Sequence, residues 1–135
     1  MRKALLVCCL ILSVSPLLAE APPETIVSIA RPKHGREADL LVAIRETRAV
    51  YERLHAVTGP WTLYRASDEL GGAYFIEIFT WRSGDIPDNA PPEIRAAWTK
   101  LESLVEKRNG RPGIEFYAVE PLSGGSSLPA AAPSR

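Results

Sequence analysis

The order of periodic segments, β-α-β-β-α-β, predicts an α+β fold of the ferredoxin-like kind: a four-stranded antiparallel sheet with two helices on one face. Three observations point there. Two stretches, Arg36 to Val57 and Pro92 to Arg108, carry apolar residues at helical spacing. Short runs rich in β-branched and aromatic residues flank them. The second and third runs are joined by Asp68-Glu69-Leu70-Gly71-Gly72, whose two glycines read as a hairpin turn.

The first strand is Thr25-Ile26-Val27-Ser28-Ile29-Ala30, closed by Pro32. The first helix follows a loop over 31–35. Leu40, Ile44, Thr47, Tyr51 and Leu54 form its apolar stripe, Glu37 and Asp39 meet the positive end of its dipole, and Thr58-Gly59-Pro60 stops it after about twenty residues. Trp61–Ser67 and Ala73–Trp81 are the two arms of the hairpin. Pro91 and Pro92 suit the first turn of a helix, where a missing N–H is no loss. Ile94, Trp98, Leu101 and Val105 form the second stripe, widened by Ala97 and Leu104, and Asn109-Gly110 ends it. Ile114–Val119 is the last strand.

Both ends read as lying outside the fold. Arg2 and Lys3 precede an apolar run from Ala4 to Val14, then Pro16 and small residues, the pattern of a secretory leader cleaved after Ala19. The run is shorter than the ~20 residues of a membrane span. A leader over 1–19 implies a periplasmic or secreted protein with no stable membrane span after cleavage. Cys8 and Cys9 leave with it, so thiol and disulfide chemistry leave too. Residues 121–135, all Pro, Gly, Ser, Ala, Leu and one Arg, form a disordered tail that cannot bury enough apolar area to offset chain entropy. One domain over 24–120 remains. The whole chain has 16 Lys+Arg against 16 Asp+Glu; losing Arg2 and Lys3 leaves 14 against 16 and a charge of −2. That balance lacks the basic footprint of a nucleic-acid binder.

The sheet is apolar on both faces. In the third strand Tyr74, Ile76 and Ile78 oppose Phe75, Glu77 and Phe79; in the last, Ile114, Phe116 and Ala118 oppose Glu115, Tyr117 and Val119. One face goes under the helices, and the other asks for a partner, most economically a second copy in a symmetric homodimer. Phe79 and Tyr117 are the positions at which Asp is expected to split it.

The stretch TIVSIARPKHGREADLLVAIRE resembles the opening of dimeric α/β-barrel domains of the antibiotic-biosynthesis-monooxygenase type. YRASDELGGAYFIEIFTW and PPEIRAAWTKLESLVEK are similar to later parts of the same family. The resemblance spans about residues 24–120. It implies a homodimer and a choice among cofactor-free quinone-forming monooxygenases, haem-degrading enzymes, stress-response proteins and members without known activity. The haem-degrading branch uses a His on the second helix, and 92–108 contains none.

Candidate residues follow from chemistry. His55, near the end of the first helix and one turn beyond Tyr51, is either an acid–base group or a solvated residue covering the helix end. With Tyr51 it makes the catalytic candidate. His34 reads as solvated. Arg65 and Glu77 stand in the two arms of the hairpin as near neighbours, either as a structural ion pair or as the polar anchor of a ligand pocket. That pocket is expected to be walled by Tyr51, Tyr64, Phe79, Trp81 and Trp98 and to take a small apolar or aromatic molecule. Two separated histidines make no metal site, and no glycine-rich phosphate loop or nucleophile elbow is present in the sequence, so neither metal nor cofactor is expected. The expectation is an exported homodimer that binds a small aromatic molecule, a cofactor-free monooxygenase if an enzyme. Its rival is a non-enzymatic exported dimer for interaction or structure.

Overall fold

A computed structural model describes residues 20–122. The expected leader over 1–19 and residues 123–135 of the expected tail lie outside the described residues. The order is β1 (Glu24–Ala30), α1 (Glu37–Arg53), β2 (Val57–Ser67), β3 (Ala73–Trp81), α2 (Pro92–Leu104) and β4 (Ile114–Val119). The strands form one antiparallel sheet in the order β2-β3-β1-β4, the ferredoxin-like topology. No described helix is long and apolar enough to cross a membrane.

Register settles which face is which. Ile26, Ser28 and Ala30 of β1 are buried beneath the helices, and they pair with Phe79, Glu77 and Phe75 of β3. On β4 the same three pair with Ala118, Phe116 and Ile114. The helices add Leu40, Ala43, Ile44 and Tyr51 from α1 and Ile94, Leu101 and Leu104 from α2, giving two adjoining clusters that fill the layer. The opposite face carries Val27, Ile29, Ile76, Ile78, Tyr117 and Val119, none of them buried. Phe79, expected at a dimer contact, is only 2% exposed and belongs to the core. The alternation is right, but Phe79 shares the parity that faces α1.

Two boundaries depart from the sequence pattern. α1 ends at Arg53, because His55 takes a left-handed conformation (φ 52°) and the backbone N–H of Ala56 bonds back to the Tyr51 carbonyl. Thr58-Gly59-Pro60 therefore sits inside β2, at the register shift between Thr58 and Thr62. A proline is tolerated there because β2 is an edge strand and the bulge leaves its nitrogen unpaired. α2 ends at Leu104, four residues early. Val105 turns extended and bridges to Pro32, and the Glu106 N–H bonds to the Arg31 carbonyl at 3.0 Å. Pairing with the chain before α1 overrides the helical period.

That return strand explains Gly113. Its carbonyl accepts from the Arg31 N–H at 2.7 Å, and a Cβ there would stand 2.9 Å from both the Glu106 nitrogen and Val105 Cγ2. Backbone cannot move aside cheaply. Gly113→Ala is expected to cost about 1–3 kcal/mol as overpacking, read as a lower urea midpoint at unchanged slope.

Candidate functional site

A cleft of about 370 Å³ opens between the helix-facing side of the sheet and α2, beside the edge strand β4. Ile26, Trp81, Trp98, Phe116 and Ala118 wall it, with Pro87 and Glu24 at its mouth. Aromatic rings accumulate here because both stripes converge. Tyr51 of α1 lies 4.7 Å from Trp81 and 5.7 Å from Phe79 between ring centroids, and Trp81 meets Trp98 edge-on at 6.4 Å. One polar contact fixes the arrangement: the Trp98 indole N–H donates to the Tyr51 hydroxyl at 2.6 Å. Tyr51 is buried, and that burial pushes its hydroxyl above the usual phenol range; the Trp98 bond acts the other way and the Glu77 charge adds to the rise. Tyr51 therefore keeps its proton near neutral pH, and its oxygen accepts the Trp98 N–H.

A second polar group lies deeper in the same layer. One row of helix-facing side chains runs Phe116, Ser28, Glu77, Leu63 across β4, β1, β3 and β2. Glu77 is the only ionisable residue in that row, and it accepts the Trp61 indole N–H at 3.0 Å. Burial pushes its carboxyl up to about 7, against the opposing effects of the Trp61 bond and the Arg48 charge. Arg48, on α1 one turn before Tyr51, is itself buried. Its Nε bonds Glu52 at 2.7 Å, its guanidinium lies 5.6 Å from the Trp61 ring centroid, and its Nη1 is buried without a partner.

The residues named from sequence do not gather into one pocket. Trp81 and Trp98 line the cleft, and Tyr51 stands directly behind Trp98. Phe79 supports Trp81 from within the core, with ring centroids 5.0 Å apart and edge to face. Tyr64 and Arg65 lie elsewhere, along an open groove between α1 and β2. Arg65 and Glu77 are not partners: Arg65 stands opposite Phe75 and pairs with Glu37 at 2.6 Å, while Leu63 stands opposite Glu77. The hairpin closes from Ser67 to Ala73 as expected, and in that register Arg65 and Glu77 stand two residues out of step, diagonal to each other rather than opposite. His55 is exposed beyond the end of α1 and outside the cleft, because its left-handed backbone turns the chain toward β2. His34 is exposed in the loop before α1.

Arg48, Trp61, Ser28 and Phe116 were not singled out from sequence. Arg48 alone had a legible signal, since 44, 48 and 51 share a helix face and a charge on an apolar stripe asks for a reason. Among the described residues no cluster of His, Cys, Asp or Glu could hold a metal ion.

No family model matches the chain, and no curated protein matches it. Solved structures do. A variant of SnoaB, a cofactor-independent oxygenase from Streptomyces nogalater, is 20% identical with a TM-score of 0.58, over 79% of this chain and all of the other (100%). A candidate antibiotic biosynthesis monooxygenase from Bacteroides thetaiotaomicron is 14% identical, TM-score 0.55, over 79% and 96%. A dimeric ferredoxin-like protein of unknown function from Jannaschia is 16% identical, TM-score 0.50, over 73% and 99%. The chain thus shares the ferredoxin-like fold of the antibiotic-biosynthesis-monooxygenase-like proteins, as its own sequence pattern leads one to expect.

Proposed function

We propose that this protein is an exported homodimer that binds a small electron-rich aromatic molecule in the cleft beside β4 and oxygenates it without a cofactor. The observation that carries the reading is the cleft itself: an aromatic-walled space of about 370 Å³ whose internal polar contact, Trp98 to Tyr51, sets a donor behind a flat apolar slot. Such a space can orient a ring and offers few polar groups, as small-molecule sites do. Fold likeness to a cofactor-independent oxygenase supports the reaction class by analogy.

The reaction in view takes a hydroxyarene and dioxygen to a quinone and water. The ring C–H and the phenolic O–H break, one oxygen atom becomes the new carbonyl, and the other leaves as water. The electron-rich ring, once deprotonated, is the reductant, so the protein need supply only a base, a dry pocket and orientation. Tyr51 is the orienting donor in this scheme. His55, outside the cleft, has no part in it.

Dimerisation rests on the open sheet face. Val27, Ile29, Ile76 and Ile78 form its centre and Tyr117 and Val119 its β4 side, and a second copy covers them most simply by a two-fold axis. The dimeric state of a protein of the same fold supports this. Export rests on the leader pattern over 1–19.

The test is a fluorescence titration with α-naphthol, using the tryptophans of the cleft as reporters. Wild-type protein is expected to bind with quenching of Trp81 and Trp98. Trp98→Ala is expected to weaken binding at least about tenfold, through one lost stacking face and one lost donor anchor at roughly 1–1.5 kcal/mol or more together. Binding that ignores Trp98 would place the ligand elsewhere. Binding without oxygen consumption would leave an exported binding or structural dimer.

A further inference from the structure

The cleft carries a single charge, Glu24 at its mouth. Glu24 is the first residue of β1 and stands directly opposite Trp81 of β3, on the helix-facing side of the sheet. It is half-buried, and no ion pair among the described residues includes it. Among the described residues no Lys, Arg or His lines the cleft. The hollow that shares Glu24 with the cleft adds Asp85 and Glu120, and again no cation. Asp85 is occupied by the Ala21 backbone N–H, which donates to it at 3.2 Å, and Glu120 lies outside the cleft. Glu24 is therefore the one carboxylate set against the aromatic wall, where apolar surroundings focus its field.

The other lining groups select the same sign of charge. Their side-chain hydrogen-bond donors are two indole N–H groups, and that of Trp98 is committed to Tyr51. An anionic ligand would meet the Glu24 carboxylate with little to offset the repulsion. Trp81, Trp98 and Phe116 are rings whose faces attract a cation, the more so where water is thin. Spacing adds the shape. Phe116 of β4 pairs with Ser28, four residues along β1 from Glu24, so about 13 Å of strand separates the ring from the carboxylate. Ala118 and Ile26 pair between them and floor the slot. Phe116 is 51% exposed, a ring surface left free for stacking.

We propose that the ligand of the cleft is an arylalkylamine: an electron-rich ring that stacks on Phe116 and Trp98, joined by a short chain to an ammonium group held by Glu24 beside Trp81. The inference deepens the reading of the cleft and rests on it; it narrows the ligand class from aromatic molecules to those that carry a cation one short chain away from the ring. Glu24 touches only that cation, so it decides which rings are admitted and takes no part in making or breaking bonds.

The experiment keeps the ring constant and varies the charge. Tyramine, 4-ethylphenol and 3-(4-hydroxyphenyl)propionate are cationic, neutral and anionic at pH 7. Each is titrated into the protein by calorimetry at low salt. Wild type is expected to bind tyramine at least about tenfold more tightly than 4-ethylphenol, and the propionate most weakly. Glu24→Gln is expected to bring tyramine down to the affinity of 4-ethylphenol, and Glu24→Lys to move the preference to the propionate. Binding of 4-ethylphenol by the same variants reports that the cleft is intact. Wild-type protein that does not distinguish tyramine from 4-ethylphenol overturns the assignment and leaves the cleft reading standing. So does a preference for tyramine that survives Glu24→Gln, or binding of α-naphthol with none of the three probes. If α-naphthol fails to bind as well, the cleft reading falls, and this inference falls with it.

Discussion

Phe79→Asp is expected to yield no folded protein, and Tyr117→Asp to yield a folded monomer. The two aromatic residues lie on opposite faces of one sheet. Phe79 is 2% exposed and packs against Trp81 and Tyr51. Truncating such a residue costs about 3–5 kcal/mol, and an unpaired carboxylate in its place adds several more. Against a total stability of about 5–15 kcal/mol, no folded population survives. Tyr117 is 42% exposed, and its hydroxyl bonds only Glu115 at 3.0 Å, so its loss leaves the protomer intact. At a two-fold contact, however, a carboxylate at this position on each copy would gather with the two Glu115 side chains and repel. Circular dichroism reads the fold and analytical ultracentrifugation the mass. A Tyr117→Asp protein that stays dimeric would move the contact off this face.

Glu77→Gln is expected to abolish a fall in stability between about pH 4.5 and pH 7. The sign follows from linkage. The carboxyl titrates near 4.5 when unfolded and about 7 when folded, so the folded state holds the proton more tightly. Its contribution is complete below the lower value and declines as pH rises to the upper one, beyond which it is constant. Above pH 7 the variant is expected to be the more stable, by a ceiling of about 3 kcal/mol. Glu37, Asp68 and Glu115 are each held below the ordinary carboxyl range by arginine or backbone donors, and they impose the opposite slope at lower pH. Both proteins share those groups, so the difference between their urea midpoints isolates Glu77. Parallel pH profiles would show that Glu77 does not titrate in this range.

Most of the fold was legible in the sequence because its signals are local. β3 and β4 run between the residues expected, and α1 and α2 start within one residue of their sequence cues. What escaped was decided by tertiary pairing. Val105 leaves the helix to pair with Pro32, and His55 takes a left-handed turn that no stripe encodes. The site was less legible than the fold. Trp81, Trp98 and Tyr51 meet because aromatic residues on converging stripes must pack somewhere. Arg65 and Glu77 were read as near neighbours across the turn; the expected loop sets them diagonally, and Arg65 pairs with Glu37 of α1 instead. Arg48 carried a signal that was not used, a charge on the face of Ile44 and Tyr51, and the structure shows it buried. Phe116 became part of a site only when β4 settled beside β1.

The central claim, cofactor-free oxygenation in the cleft beside β4, meets its most direct test in isotope-labelled dioxygen. Protein treated with a chelator is given α-naphthol under the labelled gas, and the product is weighed by mass spectrometry. The account predicts a naphthoquinone with one labelled carbonyl oxygen, formed by wild type and lost in Trp98→Ala. Naphthol that binds in the cleft yet is recovered without label would contradict it.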